Sequence, residues 1–107
     1  MERYAEVTPE VLCGRLEAKD APALLDVREP WEHAICALPE ARLIPMEELE
    51  LRVDEIEPNR EVVVYCHHGI RSAAVVQWLR DQGIPAVNLA GGIDAWTLRV
   101  DPSLRRY

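Results

Sequence analysis

The stretch "EVVVYCHHGIRSAAVVQWLRDQGIP", residues 61–85, decides the fold. Its residues 62–65 are apolar without alternation, which is typical of a strand buried on both faces of a parallel sheet. After Cys66 the pattern becomes helical, and this helix has a clear stop. Gly83 suits the left-handed position just beyond a helix end, and Pro85 prevents continuation. The stretch therefore predicts a buried strand that runs through a short loop into a helix.

Helices and strands alternate on both sides of this unit. In chain order, the predicted elements are a helix capped by Thr8 with Pro9 at its first position, a strand over 23–27, one or two helical turns over 30–35, a short strand over 41–45, an amphipathic helix over 46–58, a strand and glycine turn over 85–92, and a helix over 93–98. This order predicts an α/β domain with a mainly parallel sheet in which "EVVVYC" is the central strand.

Length, net charge and cysteine content indicate which classes of protein this chain fits. A chain of 107 residues is expected to form one domain, 1–107. The net charge of -7 argues against a nucleic-acid partner, and no apolar run approaches the roughly 20 residues that span a bilayer. Three cysteines without a C-x-x-C pair, Cys13, Cys36 and Cys66, indicate neither a disulfide framework nor a structural zinc site. With no signal peptide visible, we expect a cytoplasmic protein.

Cys66 is the candidate nucleophile because of its position. Proteins with open parallel sheets bind their ligands beyond the carboxyl ends of the strands, and Cys66 lies at such an end. Gly69 allows the tight turn that must follow. Successive N–H groups in such a turn form an anion-binding nest, and the helix beginning near Ser72 adds its own free N–H groups. Arg71 contributes a permanent charge and a forked set of donors.

The local charge supports the same interpretation. Residues 62–80 contain no Asp or Glu, although the chain is acidic elsewhere, and they include Arg71, Arg80, His67 and His68. These features favour the thiolate form of Cys66, and a thiolate among donors suits attack on an anionic substrate.

Three motifs resemble the rhodanese-like domain family, and the resemblance covers nearly the whole chain. They are "LLDVREPWE" (24–32), "CHHGIRS" (66–72) and "LAGGIDAW" (89–96). The resemblance implies a three-layer α/β fold with a central, mainly parallel sheet flanked by helices. It also implies that Cys66 becomes a persulfide, taking sulfane sulfur from a small anionic donor such as thiosulfate and passing it to a thiol, cyanide or a protein acceptor. No cofactor is expected.

The resemblance also assigns roles around the nucleophile. The expected substrate-binding residues are His67, His68, Gly69, Ile70, Arg71, Ser72 and Arg28. Asp26 is expected to support the fold near the loop. For Arg28 a surface ion pair with Glu29 or Glu32 is an equal alternative, and the histidines either line the mouth of the site or simply face solvent. A metal is not expected, because the sequence shows no second cluster of ligands.

The sequence departs from the family pattern in one stretch, and it contains two thiols besides Cys66. The stretch "CALPEA" (36–41) stands where the family often has Gly-His-Ile-Pro-Gly-Ala, so we expect a changed turn there and no loss of catalysis. This leaves Cys36 as a thiol of unknown role. Cys13 is expected to pack within the first helix or lie at the surface.

Other functions of the same fold stay open. Related phosphatases and arsenate reductases have one residue more between cysteine and arginine than the four that separate Cys66 from Arg71 here, so the shorter loop favours sulfur transfer. Some rhodanese-like domains are non-catalytic binding modules, although these typically lack the cysteine. A sulfur carrier that serves a protein acceptor is a third possibility, since "DPSLRRY" (101–107) resembles the ends of such domains attached to adenylyltransferases.

Overall fold

The structure, a computed structural model, describes residues 5–107. Its helices and strands follow in the order β1 Glu6–Val7, α1 Pro9–Leu16, β2 Ala23–Asp26, α2 Pro30–Ile35, β3 Arg42–Leu43, α3 Leu49–Arg52, β4 Val62–Tyr65, α4 Ile70–Asp81, β5 Ala86–Leu89 and α5 Gly92–Arg99. The five strands form one parallel sheet in the order β1-β5-β4-β2-β3. Within these described residues, none of the helices combines the length and apolar character that a bilayer crossing requires.

Strand β4 is central, as the apolar run predicts. It pairs with β2 on one side and with β5 on the other. All of its residues are buried, and successive side chains enter different layers of the core. Val62 and Val64 pack with α4 on one face, and Val63 and Tyr65 pack with α1 and α5 on the other. The predicted α/β fold with helices on both faces of a parallel sheet is confirmed.

Helix α4 ends where the sequence indicates. Gly83 has a positive φ of 85°, and the N–H of Ile84 donates to the carbonyl of Leu79 at 3.0 Å. The N–H of Gly83 donates to the carbonyl of Arg80 at 3.0 Å. These two bonds bring donors from beyond the helix to carbonyls of its last turn.

The segment 46–58 differs from the predicted amphipathic helix. It is a short α3 between two 3₁₀ turns, Met46–Glu48 and Val53–Glu55. Leu49 and Ile56 reach the core, whereas Leu51 is 87% exposed. The helical spacing of apolar residues does not by itself keep the segment 46–58 in one continuous helix, because most helical stability in proteins comes from a packed face. Burial of Leu49 and Ile56 does not require a continuous helix between β3 and β4.

The edge strand β1 is an element that the sequence did not indicate. Glu6 and Val7 pair with Asn88 and Leu89 of β5. Two residues carry no periodicity of their own, so only the pairing identifies them as a strand.

Candidate active site

The Cys66 side chain lies at the carboxyl end of β4, enclosed by the loop that follows. Three donors converge on its sulfur. The N–H of Gly69 is 3.1 Å from Sγ, the N–H of Ser72 is 3.4 Å away, and the Ser72 hydroxyl oxygen is 3.3 Å away. Cys66 is 1% exposed, so these groups replace water around the sulfur. The predicted nest of donors is present and is occupied by the thiol itself.

The loop amides can point inward because the loop carbonyls are bound from outside. The carbonyl of Cys66 accepts from the N–H of Ile93 at 2.9 Å, and that of His67 accepts from the N–H of Asp94 at 3.1 Å. Both donors belong to the first turn of α5. The free N–H groups of this helix end therefore bind the loop backbone, which fixes the orientation of its peptide groups.

Gly92 makes this close approach possible. Its φ is +66°, and a Cβ placed on it would lie 2.7 Å from the carbonyl oxygen of Cys66 and closer still to that of His67. The glycine pair 91–92, predicted from the sequence to be a turn, is thus the surface against which the Cys66 loop packs. Only glycine fits such contact between two backbones.

Asn88 on β5 ties the two ends of the loop together. Its Nδ2 donates to the carbonyl of Gly69 at 3.0 Å, and its Oδ1 accepts from the Ser72 hydroxyl at 2.6 Å. A serine hydroxyl has one proton, so it cannot donate to Asn88 and to the sulfur of Cys66 at the same time. Asn88 is 3% exposed, and the sequence analysis did not single it out because an asparagine within a strand carries no functional signal by itself.

Arg71 is held by a carboxylate. Its Nη1 and Nη2 donate to Oε1 and Oε2 of Glu32 at 2.8 and 2.9 Å. The Arg71 side chain is 38% exposed and that of Glu32 is 4% exposed, so the pair forms one wall of the site with the arginine on the solvent side. The forked hydrogen bond from Arg71 lowers the pKa of Glu32 to about 2. Burial opposes this shift but does not outweigh it.

Arg28 and Asp26 form a buried pair behind this wall. Both residues are fully buried, and Arg28 Nε and Nη2 donate to Asp26 at 2.9 and 2.6 Å. Arg28 also donates to the carbonyls of Glu32 and Cys36. The alternative of a surface ion pair for Arg28 is wrong, and its expected place in the lining is corrected as well, because its donors are bound to protein groups. The structure places Asp26 where a supporting residue is expected.

The two histidines differ in exposure. The ring of His67 stacks between His68 and Tyr107, with centroid distances of 4.0 and 3.9 Å. Loss of solvent lowers the pKa of His67, and the neighbouring His68 acts in the same direction. The His68 side chain is 60% exposed. Ile70, at the tip of the loop, is 81% exposed, so it borders the entrance and does not cover the sulfur.

One group of side chains near the entrance has metal-ligand chemistry. His67, His68 and Asp94 each offer an atom, and these atoms lie within 4.8 Å of one another. The sequence does not indicate Asp94 as a third ligand, because it lies far along the chain from the two histidines. Asp94 is bound by Arg106, whose Nε and Nη2 lie 2.9 and 3.4 Å from its two oxygens. A metal ion would have to displace that arginine, so the group does not fit a preformed centre.

The other two thiols lie outside the loop. All three cysteines are free. Cys36 is buried and its carbonyl accepts from Arg28, while Cys13 is half-buried in α1.

The chain is similar to known proteins in both sequence and fold. A family model for the rhodanese-like domain matches residues 8–99. The chain belongs to this family. It is 40% identical over 92 residues to a sulfurtransferase from Allochromatium vinosum, covering 85% of this chain and 86% of that protein. A crystal structure of a rhodanese-like domain protein from Staphylococcus aureus is 33% identical with a TM-score of 0.85, covering 96% of this chain and 98% of that one.

Some relatives of this rhodanese-like domain are longer. It is 39% identical over 93 residues to rhodanese-like/PpiC domain-containing protein 12, chloroplastic, from Arabidopsis thaliana, covering 82% of this chain. The chain spans 31% of the length of that relative. Together the comparisons support a rhodanese-like sulfurtransferase.

Besides Asn88 and Gly92, two further residues of this site have no role at it that the sequence predicts. Glu32 had been considered only as a surface partner of Arg28, although its place three residues after Glu29 at the start of α2 is the signal of a capping box. Tyr107 lies beyond the matched residues 8–99, and only the tertiary structure brings it to the site.

Proposed function

We propose that this rhodanese-like domain is a sulfurtransferase that carries sulfane sulfur on Cys66. The observation that supports this most directly is the convergence of the Gly69 N–H and the Ser72 N–H on Sγ at 3.1 and 3.4 Å, with the Ser72 hydroxyl oxygen 3.3 Å away and able to turn its proton from Asn88 to the sulfur. Such donors stabilise a thiolate and then the persulfide anion that replaces it, because both place negative charge where N–H and O–H groups point.

With thiosulfate as donor, the first step is a nucleophilic displacement at sulfur. The Cys66 thiolate attacks the outer sulfur, a new S–S bond forms, and the bond from the outer sulfur to the sulfonate sulfur breaks. Sulfite leaves with the bonding electron pair. Arg71 at the wall of the site is a suitable cation for the sulfonate oxygens, because part of its guanidinium faces solvent while Glu32 holds the remainder.

In the second step an acceptor thiolate or cyanide attacks the outer sulfur of the persulfide. The Cys66 thiolate then leaves and the resting enzyme is restored. The three free cysteines suit a reducing compartment, and the cytoplasm is the compartment we propose. The partners proposed are therefore a small anionic sulfur donor and a thiol, cyanide or protein acceptor.

The test is intact-protein mass spectrometry after incubation with thiosulfate. We expect the chain to gain one sulfur atom, which cyanide or a thiol then removes. Cys66→Ser should not load, whereas Cys13→Ser, which changes a thiol outside the loop, should load as the parent does.

An unloaded protein with a reduced, alkylatable Cys66 would contradict thiosulfate as donor. The same protein would then be assayed with other sulfane donors and with a phosphate ester. Turnover of the phosphate ester would favour the phosphatase alternative, and failure with every donor would favour a binding module.

A further inference from the structure

We propose that Tyr107 is a positioning residue of the active site: its hydroxyl fixes the carboxylate that orients Arg71, and its ring fixes His67 beside the nucleophile. This inference rests on the proposed function, since it assigns Arg71 to the sulfur donor. Tyr107 lies outside residues 8–99 that match the family model, so the match to that model assigns it no role.

The Tyr107 hydroxyl bridges two charged groups of opposite sign. It donates to Glu32 Oε2 at 2.8 Å and accepts from Arg28 Nη1 at 2.8 Å. The same Glu32 oxygen accepts from Arg71 Nη2 at 2.9 Å. The Tyr107 hydroxyl is thus linked to the Arg71 guanidinium through a single carboxylate oxygen.

The Glu32 carboxylate is saturated with donors only when Tyr107 is present. Its other donors are both Nη groups of Arg71 and the backbone N–H of Glu29 at 2.9 Å. A carboxylate held from several directions has one orientation, and so does the arginine that it binds in a fork. Removing the tyrosine hydroxyl takes one of four donors from Glu32. It also leaves Arg28 Nη1 with the carbonyl of Glu32, at 3.3 Å, in place of two acceptors.

The Tyr107 ring makes a second, separate contact. It lies nearly parallel to the ring of His67, with an interplanar angle of 10° and a centroid distance of 3.9 Å. Trp31 packs its edge on the same tyrosine at 6.0 Å. His67 directly follows Cys66, so the stack restrains the first residue of the loop from the solvent side.

The segment that carries Tyr107 is anchored to the domain. Asp101 donates its N–H to the carbonyl of Trp96 at 3.0 Å, and Arg106 pairs with Asp94. Leu104 and Tyr107 pack against the buried cluster under α1 and α5. These contacts bring the ring to the site in one defined orientation.

Three variants separate the two contacts. Tyr107→Phe removes the hydroxyl and keeps the ring, Tyr107→Ala removes both, and Arg105→Gln changes an exposed neighbour in the same segment as a control. The first readout is the ratio of Cys66 alkylation rates with iodoacetate and iodoacetamide, which reports how Arg71 attracts an anion and requires no sulfur transfer. We expect this ratio to fall about 3- to 10-fold in Tyr107→Phe, the size of a typical net hydrogen bond, because Tyr107 acts on Arg71 only through Glu32.

Two further readouts complete the test. The KM for thiosulfate should rise about 3- to 10-fold in Tyr107→Phe while kcat stays within about 2-fold. The pKa of His67, followed by NMR, should rise toward its ordinary value in Tyr107→Ala, because this variant exposes the His67 ring to water. In Tyr107→Phe the stacked ring remains, so the pKa of His67 should stay low. Arg105→Gln should match the parent in all three.

The proposal is overturned if Tyr107→Phe keeps the parent alkylation ratio, or if Tyr107→Ala leaves the titration of His67 unchanged. Both measurements remain informative when thiosulfate does not load Cys66. A failure of the proposed sulfur transfer is therefore distinguishable from a failure of the role assigned to Tyr107.

Discussion

The inner and the outer wall of the active site are built in different ways. The inner wall is backbone: amides of the loop 66–72 face Cys66 because α5 and Asn88 bind the loop carbonyls. The outer wall is a network of charged side chains in which Glu32 holds Arg71. The inner wall keeps its geometry through neutral hydrogen bonds and close packing, while the outer wall depends on charge and hence on pH. The comparison indicates that fixed backbone dipoles surround the Cys66 sulfur, whereas an ion pair lines the outer side of the site.

Breaking the inner wall should have the largest effect. Gly92→Ala places a Cβ against the carbonyls of Cys66 and His67 at a φ of +66°. We expect a loss of more than about 2 kcal/mol in the free energy of unfolding and a fall in kcat/KM of about 100-fold or more, since a displaced loop misplaces the reacting atoms. Urea unfolding and a thiosulfate assay measure both.

The matched control is Gly83→Ala. Its φ is +85°, but a Cβ there meets nothing within 4 Å. This variant should lose about 1 kcal/mol of stability and keep the parent activity. Equal losses of activity in the two variants would show that backbone strain, and not contact with the loop, causes the effect.

Removing a single donor from the inner wall should have an intermediate effect. Ser72→Ala deletes the hydroxyl that lies 3.3 Å from Sγ and 2.6 Å from Asn88 Oδ1. We expect kcat/KM to fall about 10- to 100-fold, the usual size for a hydrogen bond to a charged group. Ser103→Ala removes a hydroxyl from an exposed turn and should leave kcat/KM as in the parent. An active Ser72→Ala would mean that the two backbone amides suffice.

The outer wall predicts a smaller, pH-dependent effect on stability. Arg71 lowers the pKa of Glu32 to about 2 from an ordinary 4.5. A lowered pKa in the folded state stabilises the protein above pH 4.5, and this contribution is lost as the pH falls toward 2. At about 1.4 kcal/mol for each pKa unit, it amounts to at most about 3 kcal/mol.

Urea unfolding at pH 6, 4 and 3, values chosen to straddle about 4.5, tests this contribution. The stability difference between the parent and Glu32→Gln should shrink as the pH falls. Glu55→Gln, which breaks an exposed pair with Arg52, should show a much smaller change. A constant difference between parent and Glu32→Gln would mean that Glu32 acts through packing and not through its charge.

Sequence reasoning succeeded where the signal is local. The apolar run 62–65 places the central strand, and Gly83 with Pro85 ends α4, because burial on both faces and helix termination each leave a mark within a few residues. The regular helix predicted over 46–58 was wrong, since periodicity alone does not supply the packing that a helix needs.

The charge of the site could not be derived from the sequence in the same way. The window 62–80 contains no acidic residue, yet Glu32 binds Arg71, and Asp94 lies near both histidines. Charges that neighbour each other in space come from three separate stretches of the chain. An estimate of local potential from a sequence window therefore overstates how cationic the loop is.

The sequence by itself determined the candidate nucleophile and its loop: a cysteine at the end of a buried strand, a glycine that allows the turn, and a helix start that supplies N–H groups. Only the tertiary structure decided how those N–H groups are held on the sulfur, by Gly92 and Asn88, and how Tyr107 reaches Glu32 and His67 from a distant position. The physical reason is that a turn is encoded by the backbone freedom of a few adjacent residues. The orientation of its peptide groups depends instead on partners whose positions are fixed only when the whole sheet has formed.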